Sequence, residues 1–417
     1  MTDSSARPLR LAVLCPHFEP DTAPTGAVMT RIVHELVAVG HEVHVLTSLP
    51  WYRAHAIEPG WTGRRVRRVR MPWGSITRVD PFPGDDKANL LRRATGFAGF
   101  SALALWRGVR GGKVDGVLSM SPPLTNGLVG WAMKLARRGP LVFNIQDVFP
   151  DAAIETGAIS NRWIIIAARA LERFSYRRAD AVTVLSTDLR DNVVAKLPKR
   201  LAGRVRVIPN FVLTDEIRPG ERMTPYRHQL GIGTEPVVLY AGNVGFSQSL
   251  ELVVAAARAM PDVTFLINGE GSAKAKLVGD VAGLANIRLG DYQPMSRLAE
   301  VLATGDIHVV PLRAGLGRVS VPSKTYSILA AGRPVVAAID PGTEVPRILA
   351  ESGGGIAVPP DDPDAFIAAL RGLIDDREAA RAMGRRGRYW VESAASPAAV
   401  AAAYQDLFRE LGLIARR

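Results

Sequence analysis

The chain has a single cysteine, Cys15, among 417 residues, so an intramolecular disulfide is excluded. Its place in the apolar run Leu11-Ala-Val-Leu-Cys15 marks it as a small core residue rather than a nucleophile. Long hydrophobic runs are also missing: no stretch approaches the roughly 18 apolar residues needed to cross a bilayer. The N-terminus passes from basic residues into a strand pattern with no cleavage site, so the expectation is a cytoplasmic protein without a signal peptide or spanning helix. The seven histidines, among them His17, His41, His44 and His55, have no metal-ligand spacing, and no metal or other cofactor is expected. Aromatic residues make up only 6% of the chain. They are not interleaved with the basic residues as in nucleic-acid binding modules, so no nucleic-acid partner is expected.

A surplus of positive charge is present, +12 overall. Much of it lies in Arg64-Arg-Val-Arg-Arg-Val-Arg70, followed by Arg92, Arg93, Arg107, Arg110 and Lys113. The Arg/Val alternation fits an edge strand or an exposed strand face, and a merely solvated surface explains it equally. Between these cations, 94–106 is too short to span a bilayer but suited to lying in its interface, with arginines meeting anionic headgroups. An ordinary buried helix is the competing reading. Peripheral membrane contact through 64–113 is the expectation taken from the charge.

A chain of this length exceeds one hydrophobic core. Apolar, β-branched runs at 9–14, 42–47, 114–120, 141–145, 179–185 and 205–208 alternate with helical stretches, the first at about 26–39. This is the pattern of a parallel sheet covered on both faces. A second series begins after Pro209-Asn210, with strands expected at 237–240, 263–267, 287–289, 307–312, 335–339 and 356–358. The spacing predicts an N-terminal domain over 1–208 and a C-terminal domain over 209–395. A final helical segment, 396–417, follows.

Glycine turns follow two of the strands, Tyr240-Ala-Gly-Asn-Val-Gly245 and Asn268-Gly-Glu-Gly271. Each precedes a helical pattern, which places backbone N–H groups where phosphate can meet them. Farther on, Pro322-Ser323-Lys324-Thr325-Tyr326-Ser327 adds a cation at a helix start, after the glycine-rich Gly315-Leu-Gly-Arg318. In this order the three segments resemble the C-terminal half of a GT-B retaining glycosyltransferase of the family 4 type, nearest in pattern to the capsule, O-antigen and colanic-acid group. The resemblance implies two doubly wound, Rossmann-like parallel-sheet domains facing across a cleft, with the last helix crossing back to the first domain.

The resemblance also implies roles. Gly242, Asn243, Gln248, Gly269, Glu270, Gly271, Tyr292, Ser323, Ser327 and Glu344 would bind a nucleotide-sugar donor, with Lys324 and Arg318 steadying the leaving diphosphate. The family's usual Arg and Lys after the first glycine turn are here Asn243 and Gln248, and Ser327 replaces the glutamate that holds the ribose. In the first domain, Gly26 in the long loop after the first strand would approach donor or acceptor, although a helix N-cap explains it too. Asp147 would orient or deprotonate an acceptor hydroxyl where relatives carry a histidine, and an Asx turn before Pro150 is the structural alternative. Ser121 and Asn126 could hydrogen-bond acceptor hydroxyls, unless they serve only the Pro-Pro turn.

The implied reaction moves a hexosyl unit, amino- or deoxyhexosyl among the options, from a UDP-linked donor to a lipid-linked or polysaccharide acceptor at the inner face of the plasma membrane. A UDP-amino-sugar epimerase of the same shape and a non-catalytic binding relative are the alternatives.

Overall fold

The computed structural model describes residues 7–53, 55–82, 90–151, 154, 159, 161–317 and 323–414. The chain divides into two compact units, Met1–Asn210 with Val400–Arg417, and Phe211–Ala399.

The first unit holds β1 (Arg10–Leu14), α1 (Pro24–Ala38), β2 (Glu42–Ser48), β3 (Val66–Met71), β4 (Gly74–Val79), α2 (Leu90–Val109), β5 (Gly116–Ser121), α3 (Asn126–Arg137), β6 (Leu141–Ile145), α4 (Arg162–Arg178), β7 (Ala181–Val184), α5 (Thr187–Ala195) and β8 (Val205–Val207). The strands form one sheet in the order β3-β4-β2-β1-β5-β6-β7-β8. It is parallel except for β3, which pairs antiparallel with β4 at the edge. The arginine-rich run is therefore an edge strand, and charged side chains there discourage pairing with another chain. The central strands are buried on both faces, with Leu11, Val13, Leu118, Val142 and Val182 all but inaccessible, which is why their sequences are continuously apolar.

Segment 94–106 lies within α2, whose Phe100 and Ala104 are buried in the core while Leu105 and Trp106 face outward. It is thus a covering helix of the sheet with an exposed C-terminal end. Gly26 is not an N-cap: α1 begins at Pro24 with Ala23 before it, and Gly26 lies in the first turn.

The second unit holds α6 (Pro225–Gln229), β9 (Val237–Ala241), α7 (Leu250–Ala259), β10 (Thr264–Asn268), α8 (Lys274–Asp280), β11 (Ile287–Gly290), α9 (Leu298–Thr304), β12 (Ile307–Pro311), α10 (Lys324–Ala330), β13 (Val335–Ala338), α11 (Glu344–Ser352), β14 (Gly355–Val358), α12 (Pro363–Asp375) and α13 (Arg377–Ala394). Its sheet, ordered β11-β10-β9-β12-β13-β14, is wholly parallel. The order in which strands are added reverses between β9 and β12, so the loops leaving these strands diverge, and ligands of open α/β sheets bind at such a point.

The last helix, α14 (Pro397–Glu410), anchors in the first unit. Tyr404, Leu407 and Phe408 are buried, and the Tyr404 hydroxyl accepts a 3.0 Å hydrogen bond from Asn144 Nδ2, which also donates to Thr183 Oγ1 at 3.1 Å. Tyr404→Phe should cost about 1 kcal/mol by removing one buried partner. Tyr404→Ala, which also leaves a cavity, should cost about 3–5 kcal/mol. Denaturant melts of the full chain test the order; equal effects would mean that the hydroxyl, not the packing, anchors the helix.

Candidate functional site

The second unit carries a cavity of about 430 Å³ beyond the carboxyl ends of β9, β10 and β11. Seven residues singled out by sequence line it together: Gly242, Asn243, Gln248, Tyr292, Ser323, Lys324 and Ser327. The helical repeat explains the last three. On α10, Lys324 and Ser327 share one face while Thr325, Tyr326, Ile328 and Leu329 are buried, which fixes the polar pair toward the opening.

Gly242 lies at φ 141° in the turn after β9, and a Cβ there would stand 2.9 Å from Lys324 Nζ. Gly269 is still tighter, since a side chain would run into the Gly242 carbonyl. Its N–H donates to Gly290 O at 3.0 Å while Gly242 N–H donates to Asn268 O at 2.9 Å. The two glycine turns are thereby stacked at the ends of adjacent strands. At Gly269 glycine is required because two backbones approach closely, and at Gly242 because of the positive φ.

The ammonium of Lys324 sits 3.9 Å from the centroid of the Tyr240 ring. Surrounding protein removes water from that ammonium, although the residue as a whole keeps access to the cavity, and burial pushes its pKa down to about 7. Lys324 is the only cation among the described residues lining the cavity, and it forms no ion pair with a described carboxylate. The ring face partly compensates the lost hydration. Tyr240 is itself fixed, its hydroxyl donating to Asn243 O at 2.5 Å and lying 3.4 Å from Gln248 Oε1. Asn268 and Gln293, from the loops expected near the base, also line the cavity, while sequence reasoning missed the part played by Tyr240. A tyrosine closing a central strand just before a glycine turn was the available signal.

Other expected donor residues lie apart. Glu270 is exposed and bonded to Lys274, which also reaches Asp291 Oδ1 at 2.8 Å, so this carboxylate braces the second turn. Glu344 is buried at the start of α11, its Oε2 3.5 Å from Arg347 Nε, and does not line the cavity. Arg318 lies outside the described residues. The chain leading to it is pinned by Asp340, which accepts from Gly315 N at 3.0 Å and Gly317 N at 2.9 Å.

In the first unit, Asp147 is exposed directly after β6, and its carboxyl is pushed above the usual range by surrounding protein mass. The preceding Gln146 is occupied structurally, donating to Asn144 Oδ1 at 2.8 Å and accepting from Asn210 Nδ2 at 2.8 Å. Against the sequence expectation, Ser121 and Asn126 are both buried, and Asn126 Nδ2 donates to Met120 O at 2.9 Å. Gly26 packs on His17, where a Cβ would come within 2.8 Å of the histidine Cβ. That histidine was passed over for lack of metal spacing. Its Nδ1 lies 2.6 Å from the buried Asp21 Oδ2, and its ring stacks on Trp51 at 5.6 Å, an imidazole fixed by a carboxylate at the end of central strand β1.

The depressed Lys324 pKa has a direct consequence for anion binding. Free protein carries the ammonium below about pH 7 and loses it above, while a bound diphosphate favours the charged form. Nucleoside diphosphate binding at pH 8 should therefore take up a proton, and affinity should fall as pH rises through 7 to 9. Calorimetry in buffers of different ionisation enthalpy measures this; Lys324→Gln should abolish both effects, and persistence of proton uptake in that variant would refute the assignment. The sign for stability is opposite to that of a paired lysine. Between about 7 and the unfolded value of 10.5 the unfolded chain binds the extra proton, so this group's penalty is full below 7 and relieved as pH rises.

Residues 25–210 match the family described as Glycosyl transferase 4-like domain, and 235–376 match Glycosyl transferases group 1. The chain is 30% identical over 311 residues to the probable glycosyltransferase WbjE of Pseudomonas aeruginosa, spanning 71% of this chain and 74% of the relative. It is 27% identical over 383 residues to the putative colanic acid biosynthesis glycosyl transferase WcaI of Escherichia coli K12, spanning 87% and 91%. Among solved structures, Anabaena HepE in complex with UDP and glucose superposes with a TM-score of 0.64 at 13% identity, covering 96% of this chain and 99% of that one. With the stacked glycine turns and the lysine-bearing helix in place at the switch point of its second sheet, the chain belongs to the GT-B glycosyltransferases of the family 4 type, enzymes that draw on nucleotide sugars in glycan synthesis.

Proposed function

We propose that this glycosyltransferase transfers a hexosyl unit, with retention of anomeric configuration, from a UDP-linked sugar to a lipid-linked or polysaccharide hydroxyl in cell-envelope synthesis. The observation that carries the donor reading is the uncompensated Lys324 ammonium at the mouth of the stacked glycine turns. A partly dehydrated cation and converging backbone edges suit a diphosphate, and in such surroundings each charge–charge contact counts for more than in water. Ser327, one turn beyond Lys324, is assigned to the ribose, and the exposed ring of Tyr292 to the base. UDP is the nucleotide assigned to the donor, as in the structure of HepE, which shares the fold and holds UDP.

In this reading the bond from the anomeric carbon to the diphosphate oxygen breaks and a bond to the acceptor oxygen forms on the same face. The acceptor proton passes to the departing diphosphate, and Lys324 holds the charge that develops there. Asp147 is assigned to orienting the acceptor hydroxyl. No metal is invoked, since the lysine supplies the positive charge.

Thermal-shift titration with UDP, GDP and ADP, all in excess EDTA, tests the site, because a ligand of the native state raises apparent stability. The expected result is selective stabilisation by UDP that is lost in Lys324→Ala. Absence of any response, or an undiminished response in the variant, overturns the donor assignment; a preference for GDP overturns the base.

Peripheral membrane contact is proposed for the first unit, and here α4 is the stronger support. No described helix is long and apolar enough to cross a membrane, yet α4 opens with Trp163 69%, Ile164 47% and Ile166 51% exposed, beside Arg162 and Arg169. Apolar side chains flanked by arginines fit the headgroup boundary of an anionic bilayer. Replacing Trp163, Ile164 and Ile166 with serine should leave thermal stability within about 1 kcal/mol and abolish sedimentation with phosphatidylglycerol vesicles. Retained sedimentation would exclude this face.

A further inference from the structure

We propose that the first unit carries a second anion site, separate from the donor cavity, that binds a phosphate-bearing ligand. The site is a cavity of about 450 Å³ between the face of β2, β4 and β3 and the C-terminal end of α2. Its walls include six cations, Arg10, Arg68, Arg107, Arg110, Lys113 and Arg137, together with His44. Alternation along paired strands places His44, Ser75, Thr77 and Arg68 on one sheet face. Arg10, the first residue of β1, enters from the end opposite the His17 loop.

Of the six cations, only Arg10 is paired with a described carboxylate. Glu42 bonds Arg10 at 2.9 Å and His44 at 3.1 Å. Among the described residues no carboxylate pairs with Arg68, Arg107, Arg110, Lys113 or Arg137. Arg137 is 7% exposed, and its guanidinium is pushed down to about 10 by burial, with Arg10 and Arg68 adding repulsion.

The cavity is also built rather than incidental. Arg137 Nε donates to Gly112 O at 2.8 Å, and Gly111 makes room for the guanidinium, since a Cβ there would lie 2.5 Å from Arg137 Cζ. The Trp106 ring holds Arg107 and Arg110, at 4.2 and 5.1 Å, and its carbonyl accepts from Arg110 at 3.1 Å. The Ser75 hydroxyl lies 3.0 Å from His44 Nδ1 and 3.4 Å from Arg68.

The second unit offers an internal comparison. Its cavity of about 390 Å³ is also arginine-lined, but Asp306 reaches into that set, pairing with Arg222 at 2.8 Å. In that cavity Glu221 and Asp306 are themselves among the lining residues, whereas no described carboxylate lines the first cavity, where Glu42 answers Arg10 from outside the lining; the first is the cluster that an outside anion completes. Guanidinium groups converging from several elements suit a phosphate or diphosphate, which accepts many charge-assisted hydrogen bonds. The phosphate could belong to a soluble compound or to a lipid headgroup, and the experiment separates the two.

Pyrophosphate is titrated by calorimetry into the full chain bearing Lys324→Gln, which removes the cation of the donor cavity. Phosphatidic acid vesicles, with phosphatidylcholine vesicles as control, are sedimented with the same protein. Arg68→Gln, Arg110→Gln and Lys113→Gln are then combined, three exposed positions whose loss should leave the melting temperature and the UDP response of otherwise native protein intact. A matched variant, Arg177→Gln, Lys199→Gln and Arg200→Gln, removes equal charge elsewhere on the unit. The expected result is saturable binding weakened about ten-fold or more by the first set and unchanged by the second. Pyrophosphate binding without vesicle binding identifies a soluble ligand; selective loss of phosphatidic acid sedimentation in the first set identifies a headgroup. Binding of neither probe, or equal weakening by both sets, overturns the proposal.

Discussion

The donor cavity depends on one contact, the ammonium of Lys324 against the face of Tyr240. A lysine stripped of water is costly, and proteins usually answer with a carboxylate. Here the answer is a phenol ring whose hydroxyl is tied to the first glycine turn, so the ring, the turn and the cation share one position. The first turn is glycine because its φ of 141° strains any other residue, and a side chain there would also crowd Lys324 Nζ; the second turn must be glycine because the first lies against it. A carboxylate partner in place of the ring would hold the lysine firmly charged and compete with an incoming diphosphate. The ring stabilises the cation without supplying an anion, and leaves that role to the ligand.

The amides at Asn243 and Gln248 belong to the same logic. Two further cations beside Lys324 would repel it and each other while the cavity is empty, at a distance where low dielectric makes such terms large. Neutral donors avoid that cost and can still hydrogen-bond phosphate oxygens. Gln248 lies near the Tyr240 hydroxyl, so it also bears on the position of the ring beneath the cation. Departure from the common basic pair is thus compatible with the rest of this cavity, in which charge is concentrated at one point and packing holds that point in place.

Much of this was legible in the chain. Continuous β-branched runs mark strands buried on both faces, and the order of glycine turns and Pro322-Ser323-Lys324 brings seven named residues to one cavity. What the sequence could not yield were contacts set by three-dimensional approach. Asn126 looks available beside a Pro-Pro turn, yet the buried end of β5 claims its amide for Met120. Glu344 looks like a cleft carboxylate by chain position, but Arg347 engages it from the next turn of α11. Tyr240 and the His17–Asp21 pair escaped for the converse reason: nothing in their spacing distinguishes a core ring from a ring under a cation, or a core histidine from one oriented by a buried acid.

The net positive charge is likewise not one property but several. Arginines on β3 protect an open sheet edge, those beside Trp163 border an apolar face, and those around Arg137 converge on a cavity. Composition counts them alike, although a solvated edge charge contributes little energy and a dehydrated one a great deal. The decisive quantity is whether water or protein surrounds each cation, and whether a carboxylate shares the space. By that measure Lys324 and Arg137 are the same kind of residue, each held in the fold with its charge unanswered. Arg222 and Arg227 of the second unit, paired with Asp306, show how the same chain treats cations whose task is structural.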